Sequence, residues 1–478
     1  MYAGSLKYCL ALSVVTLAVY SSAIGGVFQF DDFLVIVENH NVHSWGAWWD
    51  DATFGIRPLL KASYTLSWTL GSGSFGFHLF NVVVHVANAV LLYFVGLVVL
   101  SSGSGLELEQ RRRMCFVAVL IFAVHPVLTE SVTYISGRSA SLMAFFYLAS
   151  FMAYVHGRVY DVRSSIIVLS PLCFILSLAV KETAITLPLA LLLWELVLRP
   201  DGAVAWGRVL RVQAVHWLLL ILVGVYLAAG ERYQSFFQVS LGIRSIAENL
   251  LTQLHGIAYL FSRLVFVHRL NIDPDLPVFV EWHWVQTVAL LLLVSVLSVA
   301  VLNLRKSPWV SFGILWFFLH LAPTNSLIPR FDVANERALY LAAWGVVFPL
   351  VIASLSWIDR RSLHPVLSGG VFLVVFVALI GFTVQRNLVY RCEIRLWEDT
   401  ISKSPLKPRP HHNLGYSYSK VGRYEEAAAA YLKALQLDPH YAPARRNLEN
   451  PRYREFVEHA WSGNGVCNNE IDRAADPP

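Results

Sequence analysis

Long apolar runs separated by short polar loops dominate the first four-fifths of the chain. Crossing a bilayer as a helix takes about 20 mainly apolar residues. Such runs fall near residues 6–26, 78–100, 114–124 (short, continuing into an interfacial helix), 139–156, 165–180, 183–198, 212–229, 285–303, 308–322, 338–357 and 365–384. One more stretch, 245–267, is interrupted by Arg244, Glu248, Gln253, His255 and Arg263. It reads as re-entrant or interfacial, with a true crossing as the alternative. The pattern predicts 11 crossings in an all-α polytopic membrane domain over 1–385. The long apolar start also fits a cleaved signal peptide. A retained first helix is preferred, because cleavage would leave the carboxylates that follow it on a free end.

Beyond residue 385 the apolar runs stop, and a helical tail is expected over 386–460, with 461–478 polar and disordered. His411-His412-Asn413-Leu414-Gly415-Tyr416 opens a helix, and Ala427, Tyr431, Ala434 and Pro439 follow at offsets resembling a tetratricopeptide repeat. Pro405 and Pro439 are 34 residues apart, as are Trp397 and Tyr431, which is that repeat's period. The reading is a half repeat at 391–404, one full repeat at 408–441 and a fading start at 442–449. Single repeats need neighbours to bury their faces, so the tail is expected to dock on the membrane domain, on a second copy or on a protein partner.

Composition strengthens the membrane reading. Hydrophobic residues make up 56% and charged residues 14% of 478, against roughly 25% charged in a soluble domain. Mean hydropathy is +0.54. The net charge of +5 needs no nucleic acid: the short basic loops at Arg111–Arg113, Arg158/Arg163, Arg199/Arg208/Arg211, Arg305/Lys306 and Arg360/Arg361 set topology. If 245–267 does not cross, all five lie on one side with Lys7. The N-terminus is then cytoplasmic and the tail extracytoplasmic. Cys9, Cys115 and Cys173 read as buried thiols; Cys392 and Cys467 lie outside the spans, and no spacing rule pairs them.

Under this topology the unusual polar residues gather on the outer side. Asp31-Asp32, in an aromatic setting after the first span, are expected to have pKa values pushed apart, so that one serves as a general base; a helix cap or solvated loop acid is the plainer reading. Arg57 and Lys61 open an amphipathic stretch at 56–70. His78, Asn81, His85 and Asn88 share one helical face, where interhelical hydrogen bonding is favoured for the two asparagines. His125 and Glu130 end the third span, with Tyr134 and Arg138 following. Lys181-Glu182 and Asn271-Ile272-Asp273 lie further on, and Arg330, Asp332, Glu336, Arg337 and Tyr340 close the set. Cations around a carboxylate pair near the apolar boundary suit a lipid phosphate. The bland reading is structural ion pairs such as Lys181–Glu182 and Glu336–Arg337. No Walker A loop, HExxH or CxxC is present, which disfavours nucleotide-driven pumping.

These motifs, in this order, resemble the transmembrane-and-tetratricopeptide-repeat protein O-mannosyltransferases and their bacterial relatives, within the GT-C glycosyltransferases. The pieces are Phe30-Asp31-Asp32, Arg57-Pro58-Leu59, Phe77-His78-Leu79-Phe80-Asn81 with His85 and Asn88, His125-Pro126…Thr129-Glu130, Ser136-Gly137-Arg138-Ser139, Lys181-Glu182, Asn325-Ser326 and Glu336-Arg337-Ala338-Leu339-Tyr340. The resemblance covers about residues 5 to 445. It implies a GT-C fold, a polyprenyl-phosphate-linked sugar (mannose or similar) as donor and a hydroxyl of a protein or envelope polymer as acceptor. Asp31 and Asp32 match the family's catalytic acid, with Asp31 the better placed. Arg138, Lys181 and Arg337 correspond to the phosphate-side cations, and Arg57, His78, His125, Glu130, Glu182, Glu336 and Tyr340 support them. A divalent ion, Mg or Mn, is the candidate cofactor, at Asp31 and Asp32. Eukaryotic members carry long repeat arrays, whereas this chain has little more than one repeat. The absence of any Asn-x-Ser/Thr sequon favours a bacterial inner membrane over the endoplasmic reticulum. The rival classes are a transporter or flippase and a non-catalytic assembly scaffold.

Overall fold

A computed structural model describes residues 4–52, 55–102, 104–198, 206–361 and 365–453. The expectations for Arg199, for Cys467 and its pairing with Cys392, and for the segment 461–478 lie outside them. The fold is all-helical, with no strand among the described residues. Two compact units emerge: residues up to Leu270 with Leu276–Asn387, and Asn271–Asp275 with the chain from Leu388 onward.

In the first unit six helices are long and apolar enough to cross a membrane, or up to eight if two bent pairs each count as one span. Ser165–Val180 and Pro308–Leu321 are shorter apolar helices. The third apolar run is one of the bent pairs: Leu108–Ala123 meets Pro126–Val132 at 54°. Pro126 cannot continue the ladder, and the His125 ring accepts the Val127 N–H at 3.2 Å, capping the new turn. Of the apolar-span thiols, Cys115 is buried, while Cys9 and Cys173 are only partly so.

Gly71 and Gly73 take left-handed backbone conformations before the 29-residue helix Gly73–Ser101, which at 1.5 Å per residue is about 43 Å long. Its polar face works as hydrogen-bonding glue. Asn81 Nδ2 donates to the Val132 carbonyl at 3.1 Å, and Asn88 Nδ2 to the Ser141 carbonyl and the Tyr340 hydroxyl at 2.8 and 2.9 Å. His85 meets the same hydroxyl at 2.7 Å. Pro308–Leu321 and Leu339–Arg360 touch through glycines: a Cβ on Gly313 would lie 2.7 Å from the Gly345 carbonyl, and one on Gly345 2.5 Å from that of Gly313.

Polar pairs segregate along the unit. Lys7, Tyr8 and Arg112 hold Glu109, and Gln110 reaches Asp359. All belong to the segments expected inside. The segments expected outside pair with one another: Arg57 with Glu182, and Glu130 with Arg337. The amphipathic helix Ile246–Arg263, closed by a Ser245/Glu248 capping box, is tied to that second set at both ends. Arg244 Nη2 donates to the Arg330 carbonyl at 2.5 Å and Asn249 Nδ2 to that of Ser326 at 2.6 Å, while His125 Nε2 meets the Leu264 carbonyl at 3.1 Å.

The second unit stacks Glu393–Lys403, Pro408–Lys420, Tyr424–Leu437 and Ala442–Leu448 around Ala427, Tyr431, Ala434 and Ala444. Gly415 packs so tightly that a Cβ would meet the Tyr431 ring at 2.8 Å. Asp273 joins this unit, with Lys407 Nζ at 2.5 Å and Arg409 Nε at 2.6 Å.

Candidate active site

The two adjacent carboxylates have different fates. Phe30 holds a left-handed backbone conformation, φ 47°, which costs a bulky residue energy. It turns the chain so that Asp32 points inward and Asp31 stays partly accessible. Asp32 is fully buried. Its Oδ2 accepts the Gln29 N–H at 3.0 Å, and its Oδ1 accepts the Ser136 N–H at 2.8 Å and the Ser136 hydroxyl. Burial pushes its carboxyl up to about 7, with the Ser136 and Gln29 hydrogen bonds opposing and the Asp31 charge adding to the rise. Asp32 therefore staples the first outer loop to the Ile135–Gly137 turn. Its oxygens face this staple, so the pair does not fit as a two-carboxylate metal site, and no group of three His, Cys, Asp or Glu suited to a metal occurs among the described residues.

Asp31 is linked to the cations. Its backbone N–H donates to the Tyr134 hydroxyl at 3.0 Å. The Tyr134 ring lies 5.6 Å from the Arg337 guanidinium, whose Nε sits 2.9 Å from the buried Glu130. Asn335 Oδ1 accepts from the Arg337 backbone N–H and Nε. Beside this chain opens a cavity of about 410 Å³, lined by Arg57, Lys181, Arg330 and Arg337, with Asp332 and Asn325 among its polar groups. Phe236, Val239 and Ile243 of helix Glu231–Ile243, together with Phe331, form an apolar side. Arg57, itself left-handed at φ 53°, grips Glu182 through Nε at 3.1 Å and Nη2 at 2.8 Å. Burial would raise the Glu182 carboxyl, but Arg57 wins and holds it below the usual range. The Lys181 ammonium makes no hydrogen bond or ion pair among the described residues. Burial, then Arg57, Arg337 and Arg330, push it down to about 7. Four cations around one cavity form a ready anion site.

Several sequence expectations change. Arg138 does not reach the cavity. It is fully buried, donating to Asn81 Oδ1 at 2.7 Å, the Ser63 carbonyl at 2.7 Å, Ser67 Oγ at 3.1 Å and the Phe77 carbonyl at 2.9 Å, with the Phe80 ring 4.3 Å away. A guanidinium on an apolar helix needs every donor satisfied, and here the interior supplies them. The pairs Lys181–Glu182 and Glu336–Arg337 do not form; Glu182 takes Arg57 and Arg337 takes Glu130. His78 packs against Gly26, where a Cβ would lie 2.7 Å from its Nε2. His125 is a helix cap, Tyr340 belongs to the His85–Asn88 network, and Glu336 is buried. Arg330 joins the cavity, and its only sequence signal was its place in the last outer loop.

A helical membrane protein with a cation-lined cavity beside a loop carboxylate, carrying a helical-repeat unit, is the class these observations define. Residues 408–441 match the family described as tetratricopeptide repeat. The chain is 25% identical over 91% of its length to protein O-mannosyl-transferase F38B6.6 of Caenorhabditis elegans, covering 63% of that protein. It is 24% identical to protein O-mannosyl-transferase TMTC3 of Mus musculus (92% of this chain, 52% of that one) and to TMTC4 of Homo sapiens (88% and 65%). The chain thus spans between about half and two thirds of the length of these relatives. No solved structure matches it. The chain is thus similar over about nine-tenths of its length to proteins named O-mannosyl-transferase, in line with the resemblance of its ordered motifs.

Proposed function

We propose that the protein is a membrane glycosyltransferase that moves mannose or a similar hexose from a polyprenyl phosphate to a hydroxyl acceptor, a protein Ser or Thr, on the extracytoplasmic face. The observation that carries this reading is the cation-lined, partly apolar cavity joined to Asp31 through Arg337 and Tyr134. A lipid-linked sugar phosphate needs both halves of that arrangement: cations for the phosphate and apolar surface for the tail. The similarity to proteins named O-mannosyl-transferase supports the same assignment.

In the proposed reaction the acceptor oxygen attacks the anomeric carbon while the bond from that carbon to the phosphate oxygen breaks. The bonding pair stays on the phosphate, and the hydroxyl proton passes to the Asp31 carboxylate. The phosphodiester becomes a monoester and gains negative charge, which Lys181, Arg330, Arg337 and Arg57 stabilise electrostatically. Arg337 and Arg57 are held in place by Glu130 and Glu182, so they are oriented before the donor arrives.

The direct test supplies purified protein in lipid nanodiscs with radiolabelled polyprenyl-phosphate mannose and a Ser/Thr-rich peptide. Sugar should appear on the peptide, and Lys181→Ala should weaken donor use by roughly tenfold or more, the worth of one charge-assisted contact, with acceptor KM little changed. Donor translocation between leaflets without transfer would replace this reading with a flippase.

A further inference from the structure

A second, smaller cavity of about 30 Å³ shares Lys181 and Arg337 with the first and is lined also by Thr183, His320, Thr324 and Tyr340. That volume has room for a water. His320 ends the helix Pro308–Leu321, and its ring is fixed on three sides. Trp316 packs against it with centroids 4.2 Å apart, Tyr147 lies 5.1 Å away, and Nδ1 sits 2.8 Å from the Trp316 carbonyl. A carbonyl can only accept, so Nδ1 carries the proton and Nε2 presents a lone pair. That Nε2 is buried and has no partner. A buried acceptor left unmade is costly and calls for an explanation.

Three other polar groups of the small cavity are already engaged. Tyr340 is engaged by His85 and Asn88, the Thr324 hydroxyl donates to Asn325 Oδ1 at 2.8 Å, and Arg337 is held by Glu130 and Asn335. The Lys181 ammonium and the Thr183 hydroxyl are left as donors beside an uncommitted acceptor, and of the two only Lys181 also lines the larger cavity. Resting on the reading of the larger cavity as a phosphate site, we propose that His320 is a positioning residue for Lys181: its Nε2 accepts a hydrogen bond from the ammonium, through a water in the shared cavity, and so holds that charge toward the phosphate. Around Lys181 the charged groups are Arg57, Arg337 and Arg330, which disfavour its charged form, and Glu182, which favours it; Asp332 lines the larger cavity. An acceptor for the ammonium favours the charged form.

The test measures binding of farnesyl phosphate to the full chain in nanodiscs between pH 6.5 and 9, where the phosphate is mostly dianionic. Wild-type affinity should fall as the pH rises through about 7, where Lys181 loses its proton. His320→Leu should move that fall to lower pH by about half a unit to one unit and weaken binding at pH 7 by roughly three- to tenfold. His320→Gln, which keeps an acceptor oxygen, should restore much of both. In Lys181→Arg the fall should vanish, and adding His320→Leu should then change the pH profile no further. If His320→Leu does not fold, His320→Ala is read in the same way. An unmoved fall in the His320 variants, or an equal shift in the Lys181→Arg background, overturns the proposal while leaving the phosphate site standing. No binding by the wild type removes the phosphate site and the proposal together.

Discussion

At the scale of single residues, the backbone turn at Phe30 separates two acids that are chemically equal in sequence. Asp31→Asn keeps the shape of the first outer loop and removes only the proton acceptor. Its rate of sugar transfer should fall about 10²–10⁴-fold with donor binding preserved, measured by single-turnover transfer in nanodiscs. Asp32→Asn should behave as a stability variant. Folding raises the Asp32 pKa from 3.8 to about 7, so between those values the folded state holds a proton that the unfolded state has released. Wild type therefore loses stability relative to Asp32→Asn as pH rises from 4.5 to 7, at a slope of at most about 1.4 kcal/mol per pH unit. Melting curves of both proteins across that range read the difference directly, and parallel curves would refute it. Arg138→Ala should lower the melting temperature, because it leaves the buried Asn81 oxygen without its donor, at about 1–3 kcal/mol for that unsatisfied group, while the Ser63 carbonyl keeps the Ser67 hydroxyl. Unlike Lys181→Ala, it should not act selectively on donor KM.

At the scale of elements, the apolar runs and the repeat were legible because each is a local property of the chain: hydropathy over a helix length, and small residues at a 34-residue period. The polar face of Gly73–Ser101 was legible for the same reason, since helical spacing alone puts His78, Asn81, His85 and Asn88 on one side. Ion pairing was not. Sequence neighbours suggested Lys181–Glu182 and Glu336–Arg337, yet the partners lie 125 residues apart for Arg57 and Glu182, set by packing between helices. Arg138 deceived for a related reason: its surroundings of Asn81, Ser63 and Phe77 come from two other helices. The 11 crossings expected from the sequence exceed the six to eight candidate spans that the described residues supply, because Pro126 bends one run and others are short. The contact between Gly313 and Gly345 then matters for the site, since it sets how His320 and Arg337 approach the cavity from two adjoining helices. Gly345→Leu would drive a side chain into the Gly313 carbonyl and the Phe317 backbone. Such overpacking costs about 1–3 kcal/mol, and farnesyl phosphate affinity should fall although the substitution lies about 12 Å along the helix from Arg337. Unchanged affinity would show that the two helices can re-seat without disturbing the cavity.

At the scale of the whole molecule, the cavity constrains the route of the chain through the membrane. Lys181 follows the fifth apolar run and Arg330 follows the ninth, and both line one cavity. If Ile246–Arg263 crossed, the runs after it would place Arg330 on the side opposite Lys181, and the two could not meet. The bonds from Arg244 to Arg330 and from His125 to Leu264 give the same answer, because they tie both ends of that helix to one set of residues. We propose on this basis that Ile246–Arg263 does not cross, which would put residues 230–283 outside, leave Arg305/Lys306 and Arg360/Arg361 inside with Lys7, and bring the tail out after the last run, as the positive-inside rule favours. The protein carries its own probe of this arrangement. Cys392, at the start of the second unit, is exposed and free, whereas Cys115 is buried and Cys9 and Cys173 are partly covered. In Cys467→Ser, a membrane-impermeant maleimide added to sealed right-side-out vesicles should label the protein at Cys392, and Cys392→Ser should abolish that labelling. Labelling only after the vesicles are opened would place the repeat unit in the cytoplasm, require Ile246–Arg263 to cross, and break the cavity that gathers Lys181 with Arg330.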